Sequence, residues 1–204
     1  MRRVESTPLS MVVAVFVTCI ISATALTFTY EATRGRIEAQ VRAAEERALR
    51  VALPDAVTFD VLEGGAVQRA AEVAGETPVV GIWRGVDADG AAAGLAVRCA
   101  PRGYGGPMQM IVGVDRDGKV AGVSIITQNE TPGLGTKIMT EPTFLAQFAG
   151  WDAAAVENRA RTYDAISGAT KSSAGVRAGV VAAGKAAGVV GQAGADDKGG
   201  AGDE

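Results

Sequence analysis

The chain has 204 residues, a formal net charge of −3 and no histidine, and 48% of its residues are apolar. Its two cysteines, Cys19 and Cys99, cannot by themselves hold an iron–sulfur cluster. The missing histidine removes c-type haem attachment through C-x-x-C-H and the commonest general base. No broad basic face argues for nucleic acid, so any redox chemistry here falls to an organic cofactor.

Residues 6–30 carry no charge, and their centre is rich in Val, Ile, Phe and Ala. As a helix the stretch runs roughly 37 Å at ~1.5 Å per residue, enough for a bilayer core of ~30 Å. Residues 1–30 are therefore read as an N-terminal transmembrane anchor. A cleavable signal is the competing reading, with Arg2 and Arg3 as its basic start and Ala23-Thr24-Ala25 as its cleavage site. The apolar stretch is long for a signal, and a helical pattern runs straight out of it. Charge does not orient the span, because Arg34, Arg36 and Arg42 follow it as closely as Arg2 and Arg3 precede it.

Residues 31–54 read as a linking amphipathic helix. Ile37, Val41, Ala44, Ala48 and Val51 recur at steps of four and three, and Pro54 ends the helix. Strands are then expected over 57–62, 78–83, 91–99, 107–114 and 119–127. Asp87-Ala88-Asp89-Gly90 marks a turn, and Asp115-Arg116-Asp117-Gly118 is the strongest hairpin signal in the chain. A helix over 141–148 is expected, with Thr140 as N-cap and Pro142 in its first turn. A last helix covers 172–187, with Val176, Val180 and Ala183 on one face. Residues 189–204, mostly Gly, Ala, Asp and Lys, read as a disordered tail. The expected fold class is α+β: one N-terminal transmembrane helix, then an antiparallel sheet with packed helices over 55–188.

One constellation suggests chemistry. In Asp164-Ala165-Ile166-Ser167-Gly168-Ala169-Thr170, small residues cluster where a loop turns into the last helix. A helix start presents unpaired N–H groups and the positive end of its dipole, and a phosphate is stabilised there. Thr170 offers a hydroxyl at the mouth of that site. The pattern permits a phosphate on or beside Thr170; ordinary capping accounts for it as well.

That stretch resembles the covalent flavinylation signature Asp-x-x-Ser/Thr-Gly-Ala-Thr, in which a flavin transferase moves FMN from FAD onto the last threonine as a phosphoester. Asn129-Glu130-Thr131-Pro132-Gly133-Leu134-Gly135-Thr136-Lys137 is similar to the Glu-Thr-Pro-Gly-Leu-Gly segment of RnfG, the FMN-binding member of Rnf complexes. NqrC, its counterpart in the sodium-pumping NADH:quinone reductase, has a related segment. The Gly103-Tyr104-Gly105-Gly106-Pro107 run, followed by an apolar strand and an Asp-Gly hairpin, also resembles the RnfG family. Ala165 stands where the signature often has glycine, and Asn129 where family members often have histidine.

The resemblance implies an FMN-binding domain over 55–188, with FMN held by a phosphoester to Thr170. It places Asp164, Ser167, Gly168, Ala169 and Ser172 around the attachment point. Glu130, Thr131 and Leu134 would lie against the isoalloxazine ring, and Lys137 would balance a negative flavin or phosphate. No catalytic residue and no metal ligand are expected. The implied function is an electron-carrier subunit of an Rnf-type complex coupling ferredoxin/NAD electron transfer to ion translocation. Its partners would be multi-span and iron–sulfur subunits, with the flavin transferase during maturation. The implied location is the inner (cell) membrane, single-pass, with the soluble domain on the periplasmic or outer side. Two other readings use the same residues: a membrane-anchored covalent flavoprotein outside any ion pump, and an anchored binding module in which Thr170 is only a cap. No G-x-G-x-x-G follows a strand, so NAD binding by this chain is not expected.

Overall fold

The structure is a computed structural model, and it describes residues 8–153, 155 and 163–199. The chain forms two compact units, Met1–Ala44 and Glu45–Glu204.

The described part of the first unit is helix α1 (Pro8–Ala52), whose last turns belong to the second unit. Among the described residues α1 is the one helix long and apolar enough to cross a membrane. Leu9, Phe16, Ile21 and Phe28 all lie exposed on it. Thr18, Thr24, Thr27, Thr29 and Thr33 each donate their hydroxyl to the carbonyl four residues back, at 2.8–2.9 Å. Each of these hydroxyls is thereby satisfied within the helix, as an apolar surrounding requires.

The second unit is built on one sheet. Strands β1 (Thr58–Leu62), β2 (Val79–Val86), β3 (Ala92–Cys99), β4 (Gln109–Asp115) and β5 (Val120–Thr127) lie in chain order, all antiparallel. The same device makes both tight hairpins. Asp87 Oδ1 accepts from the N–H groups of Asp89 and Ala91, and Asp115 Oδ1 accepts from those of Asp117 and Lys119, at 2.8–3.0 Å. Such side-chain-to-backbone bonds replace ladder bonds where the chain reverses.

Successive residues point to opposite faces of a sheet, and the two faces differ sharply. One row pairs Ile82, Val97, Val112 and Val123 across four strands. It forms the main core beneath α5 (Thr170–Gly199) with Val176, Val180 and Ala183. The next row pairs Trp83, Ala96, Gly113 and Gly122. Here the last turns of α1 lie on the sheet: Ala48, Leu49 and Ala52 are buried with Ala96 and Ile111. A Cβ at Gly113 would strike the Ala52 carbonyl, and one at Gly122 would come within 2.7 Å of the Val51 carbonyl oxygen. The small residues thus form the channel in which α1 ends.

Several elements differ from the sequence expectation. Helix α2 (Gly65–Val73) in the β1–β2 connection was not anticipated; it packs on α5 and β2. The helix expected over 141–148 is the shorter α4 (Pro142–Ala146), and one more short helix, α3 (Lys137–Thr140), precedes it. Thr140 closes α3, and Glu141, not Thr140, precedes Pro142 in an extended conformation (φ −93°, ψ 102°), as a residue before proline prefers. Helix α5 begins at Thr170 and runs to Gly199, so it extends into the segment read as a tail; positions 200–204 lie outside the described residues. Its continuation has a cause, since Val190 is buried in the main core. Val51 is 58% exposed, so the apolar face of α1 that packs is set by Ala48, Leu49 and Ala52.

Cys99 is buried, and its Sγ donates to the Gly179 carbonyl at 3.5 Å. Burial pushes its thiol from 9.0 up to about 12, so it is a packed, unreactive group rather than a nucleophile.

Candidate functional site

Three segments meet at the N-terminal end of α5. The first is the loop after β5. Glu130 N–H donates to the Gln128 side-chain oxygen, turning the chain inward. The Thr131 carbonyl then accepts from Leu134 N–H at 3.2 Å and Thr136 N–H at 3.3 Å. Gly133 takes a φ of 75°, and its N–H donates to Thr136 Oγ1 at 3.0 Å. The tight turn leaves Leu134 53% exposed at its tip.

The second segment is the run from Gly103 to Pro107. The third is the loop 163–169 and the first turn of α5. Gln147 clasps this loop from α4's end: its Oε1 accepts from Asp164 N–H at 2.8 Å, and its Nε2 donates to the Asp164 carbonyl at 3.2 Å. Ser173 Oγ accepts from Ile166 N–H at 3.2 Å. Gly168 (φ 79°) makes the turn into the helix, which Thr170 opens with its side chain exposed.

Glu130 ties the three segments together. It is only 6% exposed. Its Oε2 accepts from the Ser172 hydroxyl at 2.6 Å, and its Oε1 accepts from Gly105 N–H at 3.3 Å. The neighbouring chain is shaped around it, for a Cβ on Gly135 would sit 2.5 Å from Glu130 Oε2 and 3.0 Å from Ser172 Oγ.

The result is a cleft of about 560 Å³. It brings together Glu130, Thr131, Leu134, Gly168, Ala169, Thr170 and Ser172, all singled out in the sequence, with Gly135 of the same Glu-Thr-Pro-Gly-Leu-Gly segment, and adds Tyr104 and Lys171. Tyr104 is 71% exposed, and the Lys171 ammonium lies 6.0 Å from its ring centre. Tyr104 stands inside a run already marked by its sequence, so an exposed aromatic between glycines was the available signal. Asp164, Ser167 and Lys137 are not in this cleft. They line a second one of about 390 Å³ with Glu141 and Gln147, on the other side of the loop. Gln147 carried no sequence signal at all. Among the described residues, no group of three or more His, Cys, Asp or Glu could hold a metal ion.

A third cleft of about 570 Å³, lined by Arg84, Leu95, Val114, Arg116 and Val190 among others, opens near the far end of α5. Ala187 on its wall is roughly 26 Å from Thr170 along the helix at ~1.5 Å per residue. None of the residues singled out in the sequence as site residues line it, so its volume alone does not make it the functional site.

The Thr170 cleft suits a flat, phosphorylated ligand. Its volume lies within the ~300–1,000 Å³ usual for small-molecule sites. Leu134, Ala169 and Tyr104 supply apolar and aromatic wall, and α5 presents its N-terminal N–H groups and dipole where a phosphate would sit. The residues present therefore fit an FMN.

Comparison with known proteins agrees. Residues 103–185, which contain every lining residue of the Thr170 cleft, match the family model of the FMN-binding domain. The chain is 30% identical over 169 residues to the G subunit of the ion-translocating oxidoreductase complex of Methanosarcina acetivorans, covering 81% of this chain and 87% of that protein. It is 34% identical over 126 residues to the G subunit of the Na(+)-translocating ferredoxin:NAD(+) oxidoreductase complex of Acetobacterium woodii, covering 60% of each. A crystal structure of Shewanella oneidensis NqrC aligns with a TM-score of 0.48 at 18% identity, over 69% of this chain and 72% of that one. With the first relative matched along most of both lengths, the chain belongs to the RnfG family, the G subunits of ion-translocating oxidoreductase complexes.

Proposed function

We propose that this chain is the electron-carrier subunit of an Rnf-type membrane complex and holds its FMN as a phosphoester on Thr170. The observation that carries the reading is the position of Thr170: exposed, first in α5, and on the rim of the cleft that Leu134 and Ala169 wall. Attachment forms a bond from Thr170 Oγ1 to the FMN phosphorus and breaks the pyrophosphate of FAD, so AMP leaves and the hydroxyl proton passes to the flavin transferase. Bound FMN supplies one- and two-electron chemistry, which this chain's own side chains lack. The protein's part is to hold it. Gly168 and Ala169 keep the loop narrow beside Thr170, the helix start stabilises phosphate charge, and Leu134 shields the ring from water. A covalent link retains the flavin even where its ring stays open to a partner, and a membrane span raises its effective concentration near that partner.

By analogy with the named relatives, the complex couples electron transfer between ferredoxin and NAD to ion translocation; the motif resemblance implies multi-span and iron–sulfur subunits as its neighbours. The second unit lies on the periplasmic or outer side of the cell membrane. The test is attachment itself. Protein from cells that contain the transferase should show one FMN adduct by intact mass and a fluorescent band on a denaturing gel. Both should vanish in Thr170→Ala. A dark, unmodified wild-type chain overturns the proposal.

A further inference from the structure

We propose that the Glu130 carboxylate, fixed at the inner wall of the Thr170 cleft, lowers the reduction potential of the FMN held there; this rests on the FMN reading above. Burying a carboxylate is costly unless its oxygens are satisfied. Glu130 is 6% exposed, one of few buried polar groups among the described residues. Its two oxygens are each given a donor from a different segment, the Ser172 hydroxyl at 2.6 Å and Gly105 N–H at 3.3 Å. A spacing of 2.6 Å is typical of a charge-assisted O–H···O⁻ bond. With both partners donating, both arms accept, an arrangement that an ionised carboxylate satisfies in full. Room is left for it as well, because a Cβ on Gly103 or Gly135 would strike its oxygens. The fold is thus built to keep an anion at this spot.

Neither donor is a cation. They stabilise the charge without cancelling it, so its field reaches the cleft that Glu130 itself lines. Reduction adds negative charge to a flavin. A fixed like charge nearby, in a partly dry cleft, opposes that addition. The bound cofactor becomes harder to reduce and, once reduced, a stronger donor. Glu130 is on this view a positioning and tuning residue, not a catalytic one.

A purely structural clamp would move the potential the same way whichever member were removed; a charge predicts opposite signs. The experiment is a spectroelectrochemical titration of the flavin-loaded full chain in detergent, as wild type, Glu130→Gln and Ser172→Ala, with loading checked by intact mass. Removing the charge in Glu130→Gln should shift the potential positive. Ser172→Ala removes a donor that partly offsets the charge and should shift it negative. An unmoved or negative shift in Glu130→Gln overturns the proposal, as does a shift of the same sign in both variants. If Glu130→Gln does not fold, Ser172→Ala decides alone: a negative shift supports the proposal, and a zero or positive shift overturns it. A wild-type chain without the FMN mass overturns the parent reading instead, so the two failures are told apart.

Discussion

Gly133 and Gly135 stand two positions apart in one loop, yet a methyl group at each meets a different obstacle. At Gly133 the space is open, but φ is 75°, a conformation that costs an L-residue about 1–2 kcal/mol. At Gly135 the added Cβ would lie 2.5 Å from Glu130 Oε2 and 2.8 Å from Glu130 Cβ. There the clamp must open, at a cost of about 1–3 kcal/mol for overpacking. Gly133→Ala should therefore lower the denaturant midpoint and leave the Thr170 cleft intact. Gly135→Ala should lower the midpoint and also disturb the cleft, seen as a lost Ser172–Glu130 contact by NMR and reduced FMN loading. Equal loading in both variants would refute the distinction. The same residues mark how far the sequence could be read. The Glu-Thr-Pro-Gly-Leu-Gly likeness located the loop and the cleft. It could not say that Glu130 turns inward to bind Ser172, because that pairing joins positions 42 apart in the chain. For the same reason Ser172, placed by resemblance near a phosphate, has its hydroxyl engaged by a carboxylate instead.

Helix α5 shows which elements are legible and why. Val176, Val180 and Ala183 repeat at helical spacing, and all three are fully buried. Helix α2 offered no such stripe: it opens on Gly64-Gly65 and is nine residues long. Its place is set by packing on α5, a tertiary influence that a local pattern does not contain. The hairpins were legible because an Asp and a Gly at fixed offsets make each turn. The glycines of α5 give a prediction at this scale. A Cβ on Gly175 would come within 2.6 Å of the Arg102 carbonyl oxygen, whereas one on Gly179 would meet chiefly the Met110 thioether. Backbone cannot step aside as a methionine can. Gly175→Ala should thus cost about 1–3 kcal/mol. Gly179→Ala should cost less, because a side chain can repack where the residue-102 backbone cannot; alanine's gain of about 1 kcal/mol over glycine in helix propensity is common to both variants. Chemical denaturation of the two variants checks the order, and a more stable Gly175→Ala would show that α5 can shift away from residue 102.

At the scale of the whole molecule, the boundary between anchor and folded unit is not where the sequence pattern suggests. Composition separates residues 31–54, as a linking helix, from a domain that begins at 55. In the structure the second unit begins at Glu45. Glu45 pairs with Arg98 at 2.9 Å, and Ala48, Leu49 and Ala52 are buried on the sheet with Ala96 and Ile111. The stripe drawn from Ile37 to Val51 caught Ala48 but not Leu49 or Ala52, because the docked residues cluster within the helix's last two turns, too few for a period to emerge. The end of α1 is therefore part of the core that supports the sheet. Removing residues 1–30 should leave a soluble chain with the unfolding midpoint of the full protein, since none of the described residues removed is buried. Starting the chain at Asp55 strips away Leu49 and Leu53, each worth about 1.5–3 kcal/mol when buried, and uncovers Ile111, which is otherwise fully enclosed. That shorter chain should unfold several degrees lower or aggregate on purification. The comparison of the two truncations by thermal melting is decisive: equal midpoints would mean that α1 merely rests on the sheet, and that the glycine channel at positions 113 and 122 has some other cause.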